Sequence, residues 1–440
     1  MNEQKNLFLA IGISIAIIVI FQILFPQPTQ VNNFQSDQAK ISNNEITINN
    51  NEEIDEVDTV KDSERVLSEN KRLSINSPYL KGSINLKGGV LDDLILLNYT
   101  DSLNEDAKNI RLFNPDGTAN PYFIEFEWKS NNKVDTDLPT IDTIWKSTNS
   151  ELTPDKPVTL FWENSENIIF KIHFEVDKEY MFHVTQEVEN NSNKALNIFP
   201  RRTIKRINYP DTINFFILHE GLISVIDDRL EEQKYDNLAE ECSDNEKIKK
   251  SYCNSTNDEG WLGFTDKYWM SALIPNQKVK FNSVFKHYNK GRDIFVARYS
   301  ENESNIINPN TKNIFEGKIF AGAKTLEILN KYKESYDIVR FTDAIDWGWF
   351  SFLTKPISYA INWFFQYVGN FGIAIIAFTI LMRIILYPLA HASFKSMAKM
   401  KKLQPEMQRL KETYPNDRQK MQQELMALYK REGANPVAGC

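Results

Sequence analysis

The sequence predicts a membrane protein of the α+β class. It has two transmembrane helices, an exported antiparallel β-sandwich, an interfacial amphipathic helix and a cytoplasmic helical hairpin. Three observations predict this. Apolarity is concentrated in two runs, Leu7–Phe25 and Phe371–Leu389, each about the ~20 residues a helical span needs. Between them, roughly 250 residues alternate apolar and polar with period two. Past the second run, apolar residues return at helical spacing among many lysines.

The predicted organisation is a cytoplasmic N-terminus (1–6), a first span (7–25), a tether (26–70) and an exported domain (71–340). An interfacial helix (341–368), a second span (369–390), a cytoplasmic hairpin (391–433) and the start of a third-span region (434–440) follow. The net charge of −8 and mean hydropathy of −0.43 would suit a soluble acidic protein, but the averages hide the two runs. The first run is longer than the ~7–15 apolar residues of a signal peptide, and no small-residue cleavage site follows, so it reads as a retained anchor. Basic residues set the orientation. Lys5 precedes the first run, and no Lys or Arg follows it until Lys40; Lys395, Lys399, Lys401, Lys402, Arg409 and Lys411 follow the second. Residues 26–370 are therefore expected outside, and both the N-terminus and the segment after about 390 in the cytoplasm.

The tether, as in "NNEITINNNEEIDEVDTVKDSE", holds too few apolar residues to offset ordering entropy. The strands then begin near Leu73. In "FKIHFEVD" Phe170, Ile172, Phe174 and Val176 alternate with polar residues, and "IEFEW" sets Ile124, Phe126 and Trp128 opposite Glu125 and Glu127. Such runs, parted by turns such as "NPDG" and "LKGG", indicate a large antiparallel sandwich ending near Ala321. Helical spacing returns in "AGAKTLEILNKYKES".

The aromatic segment from Asp343 to Asn370 carries Trp347, Trp349 and Trp363, side chains that favour the headgroup level, with Pro356 as a break. It reads as a helix on the outer leaflet, the alternative being a core helix of the β domain. After the second span, Phe394, Met397, Met400, Leu403, Met407 and Leu410 form one helical stripe, and Met421, Leu425, Leu428 and Tyr429 another. Asn416 suits the cap of the second helix and Gly433 its stop. Cys242 and Cys253, eleven positions apart in the exported part, either close a local disulfide loop or remain two thiols; spacing alone leaves both open.

Enzymatic chemistry finds no support. There are five His, no HExxH, no GxSxG and no GxGxxG, and no metal-ligand spacing. "GKIFAGAKT" misses the phosphate-binding loop by one residue at Ala323. The residue with functional weight is Arg383, a permanent charge inside "AFTILMRIILYPLA", where a central arginine costs about +2.5 to +3.5 kcal/mol. It either snorkels to water past Leu389, roughly 9–10 Å away along a helix, or serves as a cation in a hydrated intramembrane cavity.

The segment "FGIAIIAFTILMRIILYPLAHASFKSMAKMKKLQPEMQRLKETY", continued by "QKMQQELMALYKREGANPVAGC", resembles the YidC-type membrane protein insertases. "DWGWFSFLTKPISYAINWF" and "GWLGFTDKYWMSALIP" resemble the surface helix and exported domain of the diderm bacterial members. The resemblance implies a non-enzymatic, cofactor-free insertase and membrane chaperone of the bacterial inner membrane. Its partners are nascent membrane proteins, the bilayer, the Sec translocon and ribosome or targeting factors, with no nucleic-acid substrate. Arg383 matches the arginine of a groove that draws in polar, often acidic, client tails. Residues 392–432 match a hairpin that receives nascent chains, with Met397, Met400, Lys401, Lys402, Met407, Met421 and Met426 as its contact residues. The exported domain resembles a supersandwich related to sugar-binding folds. The family has three or four more spans, so a chain stopping at Cys440 reads as truncated. The competing expectation is a membrane-anchored carbohydrate-binding sandwich or a scaffold.

Overall fold

A computed structural model describes residues 61–104, 106–130, 136–210, 212, 218–243, 250–301, 306–348, 350–415 and 417–432. The expected first span, the tether up to residue 60, Trp349, Asn416, Gly433 and the start of a third-span region lie outside the described residues.

Arg72 to Ala323 forms two facing sheets. The larger has 11 described strands; its main path runs Asn254–Asn257, Phe281–Asn289, Asp293–Glu301, Leu196–Ile207, Tyr122–Ser130, Val90–Thr100, Leu80–Asn85, Arg72–Asn76, Glu151–Leu152. The smaller has nine, ordered Arg229–Gln233, Gly221–Ile226, Gly260–Thr265, Trp269–Pro275, Thr311–Ala323, Met181–Asn190, Ile168–Val176, Val158–Glu163, Lys146–Ser147. Among these neighbours, pairing is antiparallel except where Arg72–Asn76 meets Glu151–Leu152. The period-two residues fill the space between the sheets: Phe126 meets Phe174 edge-on at 5.2 Å, and Trp128 meets Phe170 at 5.4 Å. Helix Leu326–Tyr336, capped by Thr325, closes one end, where the Tyr332 hydroxyl donates to Asp177 at 2.6 Å.

A buried charge bridges the two sheets. Arg202, 1% exposed, projects from the larger sheet into the smaller. Its Nη2 donates to the carbonyls of Val184 and Phe315 at 3.0 and 2.8 Å, its Nε to Gln186 at 3.0 Å, and its Nη1 to the Tyr299 hydroxyl. Four acceptors make the buried guanidinium tolerable, because an unpaired buried charge costs far more than a paired one. Gly317, the first glycine of the near-miss phosphate loop, lies on strand Thr311–Ala323 directly against this stitch. A Cβ there would overlap Arg202 Nη1 and the Tyr299 oxygen, so its role is to admit the arginine.

The chain departs from expectation on both sides of the sandwich. Residues 61–70, assigned to the tether, include helix Ser63–Ser68, and the Lys61 amide bonds the Gly117 carbonyl at 3.0 Å. Phe341–Ala344, assigned to the interfacial helix, is a buried 3-10 turn, with Phe341 packed on Trp261 and Phe320 at 5.4 Å each. The surface helix runs Ser351–Val368 and continues through Pro356, which removes a single donor near its start. The residues expected as the second span and as the first hairpin helix form one 43-residue helix, Phe371–Thr413, unbroken at Pro388 and Pro405. The last helix, Arg418–Arg431, is capped by Asp417, which accepts from the Lys420 amide at 3.0 Å.

Two outcomes follow for the sandwich. Gly317→Ala should destabilise it by about 1–3 kcal/mol through overpacking, read as a lower denaturant midpoint by tryptophan fluorescence in detergent; an unchanged midpoint excludes the stitch as described. Glu301 is 5% exposed, and its Oε1 lacks a hydrogen-bond partner. Burial, opposed by Arg202 and aided by Glu316, pushes its carboxyl up to about 7. The folded carboxyl therefore holds its proton when the unfolded one has lost it, and stability falls as pH rises from about 4.5 to about 7. Glu301→Gln should stabilise by up to about 3 kcal/mol at pH 8 and by little at pH 4. An equal effect at both pH values would contradict this.

Candidate functional site

Asp343 joins the sandwich to the surface helix. Its carboxylate, 9% exposed, accepts from Arg340 Nε at 2.7 Å and from Lys355 Nζ at 2.7 Å. Burial alone would raise this carboxyl, but the bonds from Lys355 and Arg340 outweigh it and hold it below the usual carboxylate range. Above this clamp the Trp347 indole donates to the Thr342 carbonyl at 3.0 Å, and the Lys355 ammonium lies 5.6 Å from its ring centre. Trp347, expected as a membrane-interface anchor, is engaged by protein on two sides. Trp363 is 54% exposed, in an outward stripe with Phe352 and Tyr367.

At Gly369 the backbone turns into the left-handed region, φ 68°, which glycine enters without cost. Asn370 then caps the long helix, accepting from the Ile373 amide at 3.1 Å. The helix is apolar and long enough to cross a membrane, and its first half is almost bare of protein: Ile376, Ile380, Ile384, Ile385 and Leu389 are all exposed. Arg383 lies within this bare stretch, exposed and without a hydrogen-bond or ion-pair partner among the described residues. Pro388, one turn past Arg383, lacks the N–H that a regular helix would aim at the Ile384 carbonyl.

Further along, the long helix packs antiparallel against Arg418–Arg431. Leu403, Leu428 and Tyr429 are buried, with Met400, Met407, Leu410 and Leu425 against them. The Tyr429 hydroxyl reaches Met407 Sδ at 3.6 Å, and Arg431 pairs with Glu406 at 3.3 Å. Met400 and Met407, expected as open contact residues, therefore belong largely to the hairpin's own core, and Met421 is half-buried. Met397 and Met426 are exposed, as are Lys401 and Lys402. Phe394 and Met397 stay uncovered because the 14-residue partner helix is too short to reach them. Arg383 and Met397 sit on one helix about 21 Å apart, separate from the Asp343 clamp.

Cys242 and Cys253 are joined as a disulfide, Cα atoms 5.5 Å apart and both side chains buried. Among the described residues no group of His, Cys, Asp and Glu could hold a metal ion. The Asp343 clamp escaped the sequence reading, although Arg340, Asp343 and Lys355 were visible as opposite charges around a turn.

Two family models match the chain. One, described as the YidC periplasmic domain, covers residues 72–360, and one, the 60Kd inner membrane protein, covers residues 363–440. The membrane protein insertase YidC of Rickettsia bellii is 39% identical over 442 residues, covering 100% of this chain and 76% of the relative. That of Rickettsia prowazekii is 40% identical over 445 residues with the same coverage. Among solved structures, an active YidC insertase aligns with 84% of this chain and 68% of its own at 16% identity and a TM-score of 0.31. A galactose mutarotase-like protein from Lactobacillus casei aligns with 57% of this chain and 99% of its own at 8% identity and a TM-score of 0.40. With one family model spanning most of the chain and relatives near 40% identity, the chain belongs to the YidC family of inner-membrane insertases.

Proposed function

We propose that this protein inserts membrane proteins by presenting Arg383 to the polar segments of incoming clients, without enzymatic chemistry. The observation that carries the reading is a guanidinium without a partner among the described residues, on a bare apolar helix. In hydrocarbon such a group demands an anion or water, and an acidic client tail supplies the anion. Moving that tail into the bilayer is then opposed less strongly, because a charge-assisted pair replaces part of its lost hydration. The client's own apolar segment supplies the drive toward lipid, about 25 cal/mol for each Å² of apolar surface transferred.

The rest of the chain serves this step. In the proposed orientation the sandwich and surface helix lie on the periplasmic side and the hairpin in the cytoplasm, as the lysines after residue 390 suggest. Exposed Met397 and Met426 offer polarisable, adaptable contacts to apolar nascent chains, and Lys401 and Lys402 offer charge to ribosome or targeting factors. Action alone and action beside the Sec translocon both fit this arrangement.

A photo-crosslinker at residue 383, in membranes synthesising a small client with an acidic tail, should capture that client in transit. Arg383→Ala should slow its insertion roughly tenfold, the effect of losing a contact of about 1.5 kcal/mol, and Arg383→Lys should retain most activity. A client without acidic residues should respond weakly. Full insertion by Arg383→Ala with no crosslinks would overturn the role of Arg383 and leave a scaffold.

A further inference from the structure

The outward face of the larger sheet holds a groove of about 720 Å³. Its lining carries six cations against three carboxylates, in a chain of net charge −8. Each carboxylate is already matched by protein. Glu125 pairs with Lys205 at 2.7 Å, Glu127 with Arg201 at 2.7 Å, and Asp116 with Arg292 at 3.0 Å. Lys290 and Arg298 meet no carboxylate among the described residues. Arg298 donates to the Tyr288 hydroxyl at 3.1 Å, yet its buried Nε has no acceptor.

The arrangement of these charges tells what would fit. Arg201, Thr203 and Lys205 alternate along one strand, and Arg298 stands beside Thr203 on the next. Residues on one face of a strand repeat every ~6.6–6.8 Å, the same repeat an extended ligand chain would show. At one end of the row the floor turns apolar, where Phe123, Ile207 and Val90 cluster with Ile294. A compact anion would engage one point of such a row, and a neutral sugar would leave the excess charge unused.

We infer that this face is a binding groove for an extended acidic peptide that has apolar residues between its carboxylates. The peptide's acids meet Lys290, Arg298 and the strand cations, and its apolar side chains cover Phe123 and Ile207. The inference is independent of the role of Arg383, since the experiment measures binding and no insertion.

The test uses the full chain in a neutral detergent and a fluorescein-labelled twelve-residue peptide of alternating Glu and Val, read by anisotropy against micelles alone. The expected result is saturable binding that weakens with salt and is absent for the peptide of alternating Lys and Val. Lys290→Ala with Arg298→Gln should weaken it roughly tenfold or more, as expected for lost charge-assisted contacts. Lys290→Glu alone, at an exposed turn that leaves the core untouched, should weaken it severalfold. Wild-type affinity in both variants overturns the proposal. So does an oligothymidylate that competes as well as the peptide, since the groove would then attract any polyanion.

Discussion

Two carboxylate oxygens of Asp343, each 2.7 Å from a cation, hold together parts with opposite solvent requirements. One cation, Arg340, belongs to the turn that plugs into the sandwich core; the other, Lys355, belongs to the surface helix. Neither pair would contribute much in open water, where exposed ion pairs give about 0–1 kcal/mol. Here the shared carboxylate is nearly buried, so losing either partner leaves a charge poorly compensated. The direction in which the chain leaves the sandwich depends on this contact. The Trp347 indole and the Thr354 hydroxyl, which bonds the Trp347 carbonyl at 2.8 Å, only brace it.

Two arginines show how differently one side chain can be used. Arg202 is buried with four acceptors already in place, and it fixes the register of two sheets. Arg383 sits on a helix of similar apolarity with none of its donors met by the described residues.

Much of this was legible in the sequence because periodicity reports directly on which side chains face a core. Phe170, Ile172, Phe174 and Val176 were set on one face by alternation, and all are buried. The stripes Met400–Leu410 and Leu425–Tyr429 foretold the hairpin contact. What stayed hidden depends on three-dimensional pairing. Arg202 looks like any surface arginine in "PRRTIKRI" until strand register places it opposite Val184 and Phe315. Pro356 reads as a break, since proline removes a donor, yet the remaining helical bonds carry the chain past it. The open face of the hairpin was overestimated for Met400 and Met407 because a stripe does not reveal how much of it the partner helix covers.

The unbroken run from Phe371 to Thr413 extends about 65 Å at 1.5 Å per residue. The helical backbone continues across the boundary between its bare and covered halves. A tilt of about 10° around Arg383 would sweep the far end, roughly 45 Å away, through about 8 Å. For a helix moving as one rod in this way, any displacement of the Phe371 end is matched by a larger one at the Thr413 end.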